Sequence, residues 1–409
     1  MCIVDSLVGL LGRQTSLKER GMKKILITAG ICLAASTAAA QTVKIGLIAP
    51  FSGSSAEYGE QFRRGMDVYM EQIGGKVGST PVEIIDRDEE GGSARVKQLA
   101  QELILQDKVQ FLAGLEKTPD ALALASLINK SKTPTVILNA ATGVIPRKSP
   151  YFVRFSFTQY QGAATLGAWA ARNGIKTVYI AVTDYAPGKD SREAFKTTFT
   201  KGGGQVIGET QMPMATTDFA PYLQKIKDAK PDAIFMFTPY GAAGVSFIKT
   251  YLQLGLKAAG IKLLATGETN EADLPAIGAG AEGIVTAFHY SPDQDNAVNK
   301  KFVSDYKKKY GEQAVPNFAT VAGYDGMHAM ADVIRKLGAN IDGDKAMEIL
   351  AHWKGDSPRG PIAIDSNERD IVQDIYIRRV EKMPDGKLAN VAFDKVPKVK
   401  DLWKEMNPK

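Results

Sequence analysis

The sequence predicts an α/β protein made of two doubly wound, Rossmann-like lobes with parallel sheets. Three observations lead to this fold class. Short β-branched runs alternate with amphipathic helical segments along most of the chain, and repeated strand–helix units imply parallel sheets with helices on both faces. A length of 409 residues exceeds what one ordinary core accommodates. The alternation also breaks once, because the predicted strands near residues 136 and 153 have no helix between them, and this break divides the elements into two runs.

The first run begins with residues 43–48, a short β-branched stretch that stops at Ala49-Pro50 and therefore indicates a buried strand. Residues 58–73 predict a helix, because their apolar side chains recur at helical spacing. The same two signals define the rest of the run. They predict helices at 93–105 and 119–131 and strands at 81–85, 109–113, 134–138 and 151–155.

The second run repeats this design and is followed by a helical segment and a hairpin. Its helices are predicted at 161–173, 189–201, 219–228 and 241–255, and its strands at 177–182, 204–208, 232–237, 261–265 and 284–288. Apolar spacing then predicts three successive helices at 294–310, 318–337 and 343–352. Two β-rich stretches flank a Pro-Asp-Gly turn and predict a hairpin with strands at 375–380 and 388–393, turned at 384–386.

The N-terminal 40 residues are typical of an exported protein. Lys23 and Lys24 precede an apolar run over residues 25–35, and small residues then lead to Ala40, which is the order of a secretory signal peptide cleaved after Ala40. A membrane anchor is the alternative, but the apolar run is shorter than the ~20 residues that span a bilayer. Residues 1–21 are interpreted as an N-terminal extension. No later stretch reaches spanning length, so stable membrane insertion is not expected.

Charge and cysteine content narrow the range of partners. The formal charge is +6, and part of that excess lies in the leader, so the exported part is near neutral. Nothing in it favours nucleic acid or an anionic membrane surface as a partner. Cys2 and Cys32 both lie in the leader. The exported part is therefore expected to have no disulfide, no cysteine metal site and no metal or other cofactor.

Signals for catalysis are weak. Residues 278–283 match G-x-G-x-x-G, but they precede a predicted strand instead of joining a strand to a helix, so a simple turn is the favoured interpretation. The three histidines are scattered without metal-ligand spacing or a nucleophile partner; they are His289, His328 and His352. The sequence therefore predicts a protein that is not an enzyme.

Five fragments, taken in order, resemble the branched-chain amino acid binding proteins of ABC importers. They are VKIGLIAPFSGSSAEYGEQFRRG from Val43, NAAT from Asn139, FVRFSFTQYQGAA from Phe152, TPYGAAGVSFIKTYLQLG from Thr238 and ATGE from Ala265. The resemblance implies a type I periplasmic binding fold in which two lobes are joined by three crossings. The crossings are expected near 157–161, 289–291 and 362–365, with residues 41–158 and 290–363 in lobe 1 and residues 159–289 and 364–409 in lobe 2.

The expected site lies where strands of both lobes end. Ligands of doubly wound sheets bind outside the carboxyl ends of strands. Thr118 is the predicted N-cap of a helix with Pro119 in its first turn, so backbone N–H groups would face a ligand carboxylate. The resemblance implies that Thr118 and Thr142 hold that carboxylate, that Ala140 accepts from a ligand donor, and that Glu268 accepts a ligand ammonium.

Aromatic residues complete this expected site. Tyr185 and Tyr240 lie at strand ends in the second lobe, and Phe318 adds an apolar wall from the first. The complete set of expected ligand-binding residues is Tyr58, Thr118, Ala140, Thr142, Tyr185, Tyr240, Glu268 and Phe318. Some of them have a simpler explanation: the tyrosines could be packing residues, Thr118 only a helix cap, and Glu268 a solvated loop carboxylate.

The ligand and the role of the protein stay open at this level. Glu116 and Lys117 replace the serines that the family usually has beside Thr118, so the ligand is either a hydrophobic amino acid or an aromatic carboxylate. The expected function is capture of a solute in the cleft between the lobes for an ABC importer. The alternatives are a ligand-sensing module of a signalling system and a secreted enzyme that uses the same cleft. The expected partners are this small molecule and the permease subunits of an ABC importer, and the protein is expected to be a monomer.

Overall fold

The computed structural model of the chain describes residues 41–407. The predicted signal peptide and its cleavage after Ala40 lie outside the described residues. Within residues 41–407, no helix combines the length and the apolar character needed to cross a membrane.

Strands and helices alternate through the first two thirds of the described chain. The first run consists of β1 (Val43–Ala49), α1 (Ala56–Gln72), β2 (Lys76–Val77), β3 (Thr80–Asp88), α2 (Ser93–Leu105), β4 (Phe111–Gly114), α3 (Thr118–Ser131), β5 (Thr135–Ile137), α4 (Ile145–Lys148) and β6 (Phe152–Arg154). The second run consists of α5 (Gln159–Arg172), β7 (Thr177–Thr183), α6 (Ala186–Lys201), β8 (Gln205–Met212), α7 (Ala220–Ala229), β9 (Ala233–Phe237), α8 (Ala242–Gln253), β10 (Lys262–Ala265), α9 (Leu274–Ile277) and β11 (Val285–Phe288).

The last third adds three helices and two short strands to the first lobe and a long hairpin to the second. Its elements are α10 (Ala297–Tyr310), α11 (Phe318–Leu337), α12 (Gly343–Ala351), β12 (Lys354–Ser357), β13 (Gly360–Asp365), β14 (Asp370–Lys382), β15 (Leu388–Val399) and α13 (Trp403–Met406). The predicted hairpin is therefore present as β14 and β15, and both strands are longer than expected.

The first sheet has six strands in the order β2-β3-β1-β4-β5-β6. Its strands are parallel except for the short β2. The central strand β1 is almost entirely buried, with Val43, Ile45 and Leu47 fully enclosed. This burial on both faces explains why the strand has no polar side chain except Lys44, since helices cover the two sides of a parallel sheet.

The second sheet has nine strands and is parallel only in part. Strands β8, β7, β9, β10 and β11 are parallel neighbours. At the end of this group β14 runs antiparallel to β11, and β12, β13 and β15 continue the antiparallel pairing. The expectation of parallel sheets thus holds for the repeated strand–helix units and not for the C-terminal strands.

Two hydrophobic cores, one in each lobe, show where the chain passes between the lobes. Phe157 packs in the core of the first sheet and Tyr160 in that of the second, which places one passage near the expected position. Late in the chain, Ile371 belongs to the first core and Ile375 to the second. This passage lies inside β14, several residues beyond the expected crossing at 362–365. We therefore propose that lobe 1 extends to Ile371.

A buried arginine connects the strands at this passage. The guanidinium of Arg359 donates to the Asp325 carboxylate at 2.8 Å, to the Ser156 carbonyl at 2.7 Å and to the Gln373 side chain at 2.8 Å. The side chains of Arg359 and Asp325 are both 0% exposed. Burial lowers the pKa of Arg359 and raises the pKa of Asp325, so each group depends on the other for its charge.

Candidate functional site

A cavity of about 710 Å³ opens between the two lobes. One wall is formed by the loops that follow β4 and β5 in lobe 1. The other is formed by the loops that follow β7, β8 and β9 in lobe 2, together with the first turn of α8. All of these loops leave the carboxyl ends of parallel strands, which is where doubly wound sheets bind ligands. The volume suits a small organic molecule.

Aromatic rings form the apolar surface of this cavity. Phe157, Tyr185, Phe237 and Tyr240 line it. The rings of Tyr185 and Phe237 are stacked, with centroids 6.0 Å apart and planes inclined by 20°. Phe318 lies behind this surface, 5.3 Å from the ring of Tyr240. Flat rings at these positions leave a space that suits a flat or branched apolar group.

Six residues of the cavity lining have a buried polar side-chain atom without a hydrogen-bond partner in the part of the chain that the structure describes; they are Glu116, Thr118, Asp120, Asn139, Thr238 and Tyr240. Within residues 41–407, the Thr118 hydroxyl, the Asn139 side-chain oxygen and the Thr238 hydroxyl have no hydrogen bond. These residues are 4%, 8% and 0% exposed. A buried polar group without a partner costs about 1–3 kcal/mol. Such groups in a cavity are therefore candidates for contact with a bound molecule.

The loop before α3 is held by a carboxylate of the protein itself. Leu115 has a φ of 65°, and this turn directs the next two backbone N–H groups toward Glu89. The Glu89 carboxylate accepts from the N–H of Glu116 at 2.9 Å and from that of Lys117 at 3.1 Å. The sequence predicted free donors here and Thr118 as the N-cap. In the structure α3 begins at Thr118, and Lys117 occupies the cap position.

Thr142 lies outside the cavity lining and has a partner in the other lobe. Its hydroxyl donates to the Asp190 carboxylate at 2.8 Å, and the N–H of Gly143 donates to the same oxygen at 3.0 Å. Burial raises the pKa of Asp190 to about 6. Thr142 therefore connects the lobes, and the ligand-carboxylate role expected for it has no geometric support in this arrangement.

Ala140 and Glu268 also lie behind the lining. The Ala140 carbonyl accepts from the buried Arg154 guanidinium at 2.8 Å. The Glu268 carboxylate accepts from the Thr266 N–H at 2.8 Å, from the Thr266 hydroxyl at 3.2 Å and from the Thr238 N–H at 3.3 Å. Burial raises the pKa of Glu268 to about 7. The two groups that were expected to bind ligand donors thus have donors within the protein.

Of the eight expected residues, Thr118, Tyr185 and Tyr240 line the cavity. Tyr58 and Phe318 stand behind it, with ring centroids 5.8 Å apart. The sequence interpretation missed Phe157, Phe237 and Thr238, although each lies at a strand end or a lobe crossing. Position after a strand was the signal that could have identified Thr238.

Comparison with known proteins identifies the family of this chain. The family model described as periplasmic binding protein matches residues 42–387. The chain belongs to the periplasmic binding protein family. This binding protein is 44% identical over 373 residues to the Leu/Ile/Val-binding protein homolog 6 of Brucella melitensis, an alignment that covers 90% of this chain and 96% of the relative. The resemblance seen in the sequence is therefore confirmed.

Solved structures of similar proteins confirm the type I periplasmic binding fold. The solute binding protein of an ABC transporter from Rhodopseudomonas palustris BisB5, in complex with 3,4-dihydroxybenzoic acid, is 44% identical with a TM-score of 0.84. A second R. palustris solute binding protein, in complex with 4-hydroxybenzoate, is 43% identical with a TM-score of 0.85. Each comparison covers 88% of this periplasmic binding protein and 98% of the other chain. This protein is thus a solute-binding protein of the ABC-transporter type.

Proposed function

We propose that this protein captures a ring-hydroxylated aromatic carboxylate in the periplasm and delivers it to the permease subunits of an ABC importer. The observation that carries the proposal is the aromatic cavity between the lobes, with its stacked Tyr185 and Phe237 and its unpartnered Thr118 and Thr238. A benzene ring can stack on such walls, and its polar substituents can pair with the hydroxyls. Relatives at 43% and 44% identity that bind hydroxybenzoates support the same ligand class.

The surroundings of Glu268 favour an aromatic acid over an amino acid. A buried carboxylate that served a ligand ammonium would leave that charge unpaired in the empty site. Glu268 instead accepts three hydrogen bonds from Thr266 and Thr238. Burial raises the pKa of Glu268 to about 7, so this side chain readily becomes a neutral acid. A neutral acid has no charge that a ligand ammonium would need to balance.

A hydrophobic amino acid is the second candidate ligand. The observation in its favour is the 44% identity to a protein named as a Leu/Ile/Val-binding protein homolog. The apolar walls formed by Phe157 and Tyr240 would also accept a branched aliphatic side chain. The two ligand classes differ in the ammonium group, which only the amino acids carry.

A thermal-shift screen distinguishes the two ligand classes. We expect 4-hydroxybenzoate and 3,4-dihydroxybenzoate to raise the melting temperature of the exported chain, because a ligand at about 100 times its Kd adds roughly 2.7 kcal/mol of stability. Leucine, isoleucine and valine should have little effect. Stabilisation by the amino acids alone would show that the aromatic class is wrong, and an unchanged melting temperature with both sets would exclude both ligands.

We further propose that the lobes close around the ligand and that the protein works as a monomer. The chain passes between the two cores near Phe157 and again inside β14, and hinges of this kind consist of a few residues at element ends. Small-angle scattering should give the mass of one chain and a radius of gyration that falls when ligand saturates the protein. A scattering profile that stays the same despite verified binding would contradict closure, and twice the mass would contradict the monomer.

A further inference from the structure

Glu116 is an unexpected acid in the wall of the cavity. The residue lines the cavity beside Thr118, and its side chain is 16% exposed. Its backbone is fixed on both sides, because its N–H donates to Glu89 and its carbonyl accepts from the Asn139 side chain at 2.9 Å. The Glu116 oxygen Oε2 is buried and has no hydrogen-bond partner in the described part of the chain. The backbone of Glu116 is therefore held in place, and one oxygen of its carboxyl group has no hydrogen bond within residues 41–407.

The charges around Glu116 are mainly negative. Asp120 lines the same wall, and the Glu89 carboxylate lies behind the loop. Lys117 is the only basic residue among the described residues that line the cavity. Its ammonium is 3.9 Å from Glu116 Oε2, and it also contacts Glu90 at 3.4 Å. Burial raises the pKa of Tyr58 and of Tyr185, and the negative charge of Glu116 adds to both increases.

The negative charge of Glu116 would repel an anionic ligand unless one of the two carboxylates carries a proton. Glu116 and Thr118 line the same wall of the cavity, so a ligand carboxylate that binds the Thr118 hydroxyl would share this wall with the Glu116 carboxylate. Two carboxylates that meet in a buried site do not both remain ionised, because like charges raise the pKa of the pair. One shared proton removes the repulsion and turns it into a hydrogen bond between an acid and a carboxylate.

We propose that Glu116 binds the ligand carboxylate in its neutral acid form, so that capture of the ligand takes up one proton from solvent. The inference rests on the proposed function in one respect, namely that the ligand carries a carboxylate. In this arrangement the Glu116 hydroxyl donates to a ligand oxygen, and the Thr118 hydroxyl donates to the ligand as well. A ligand carboxylate therefore binds more tightly at low pH, where Glu116 is neutral and donates a hydrogen bond. It binds more weakly at high pH, where the ionised Glu116 repels it.

The titration range of Glu116 fits this coupling. Burial raises its pKa to about 7 in the empty site, and Lys117 partly opposes the shift. Below that pH the free protein already holds the proton, so binding requires none from solvent. Above it the free carboxylate is ionised, so binding must add a proton, and affinity falls by up to about tenfold per pH unit.

Calorimetry in two buffers measures the proton directly. Titration of the exported chain with 4-hydroxybenzoate in phosphate and in Tris, whose ionisation enthalpies differ, gives the number of protons exchanged on binding. We expect uptake close to about one proton at pH 8 and close to none at pH 6. Binding at pH 8 without proton uptake would overturn the inference and leave the proposed function intact.

Two variants assign the proton to its residue. Glu116→Gln carries a permanent amide donor in place of the acid, so its affinity should be nearly the same at pH 6 and pH 8 and should exceed that of the parent protein at pH 8. Asp273→Asn is the matched control, since burial raises the pKa of Asp273 to about 6 but the residue does not line the cavity. This control should keep the proton uptake.

Three other outcomes would distinguish a wrong assignment of the proton from a wrong ligand class. Proton uptake that persists in Glu116→Gln would overturn the assignment to Glu116. If leucine binds and the aromatic acids do not, the proposed ligand class fails, and the same titration with leucine decides the proton coupling because leucine also carries a carboxylate. If no carboxylate binds, the proposed function and the coupling are both wrong.

Discussion

Replacing Arg359 with methionine is expected to lower the free energy of unfolding by about 3–5 kcal/mol. The guanidinium is fully buried and satisfies the Asp325 carboxylate, the Ser156 carbonyl and the Gln373 side chain. Methionine fills similar space but leaves Asp325 as an uncompensated buried acid. Urea unfolding followed by circular dichroism would report the change.

Two further variants show whether the loss comes from the buried charge. The double variant Arg359→Met with Asp325→Leu removes both charges and should recover a large part of the lost stability, because the buried acid no longer lacks a partner. Lys301→Met removes a cation from the exposed pair with Asp305, 2.7 Å apart, and should change stability by less than about 1 kcal/mol. Equal effects of Lys301→Met and Arg359→Met would contradict the role given to burial.

Thr118→Val is expected to weaken ligand binding by roughly ten- to a hundredfold. Valine keeps the shape of threonine and removes the hydroxyl that lines the cavity without a partner. A hydrogen bond to a charged ligand group contributes about 1.5–3 kcal/mol. Isothermal titration calorimetry with 4-hydroxybenzoate measures the loss at constant pH.

Thr142→Val is the matched control for this experiment. The family resemblance implied that Thr142 holds the ligand carboxylate together with Thr118, but in the structure its hydroxyl donates to Asp190 in the other lobe. We now expect the control to weaken binding less than about tenfold, through a less favourable contact between the lobes. A larger loss at Thr142 than at Thr118 would show that the ligand carboxylate lies near Thr142 after all.

The sequence was sufficient for elements whose signal is local. The helix predicted at 93–105 is observed at Ser93–Leu105, because its buried residues recur at helical spacing. Strands β12 and β13 were missed. They are short, contain glycine and proline, and become strands by pairing with each other and with β14. Such pairing depends on residues that no local pattern specifies.

The candidate site was also predictable only where the signal is local. Position at strand ends, together with the family resemblance, identified Thr118, Tyr185 and Tyr240, and all three line the cavity. The contacts that changed the interpretation join distant parts of the chain. Glu89 takes the donors of the loop before α3, and Asp190 takes the hydroxyl of Thr142. Neither partner has a sequence signal that links it to its donor.

The strand β14 has a consequence for how such proteins change during evolution. It begins in one core with Ile371 and continues into the other with Ile375, so no flexible linker separates the lobes at this point. Neither lobe is one uninterrupted stretch of the gene, and exchange of a lobe between two relatives would require several simultaneous breakpoints, one of them inside a strand. New ligand preferences in this architecture are therefore expected to arise by point substitution in the cavity wall, and recombination of whole lobes is disfavoured.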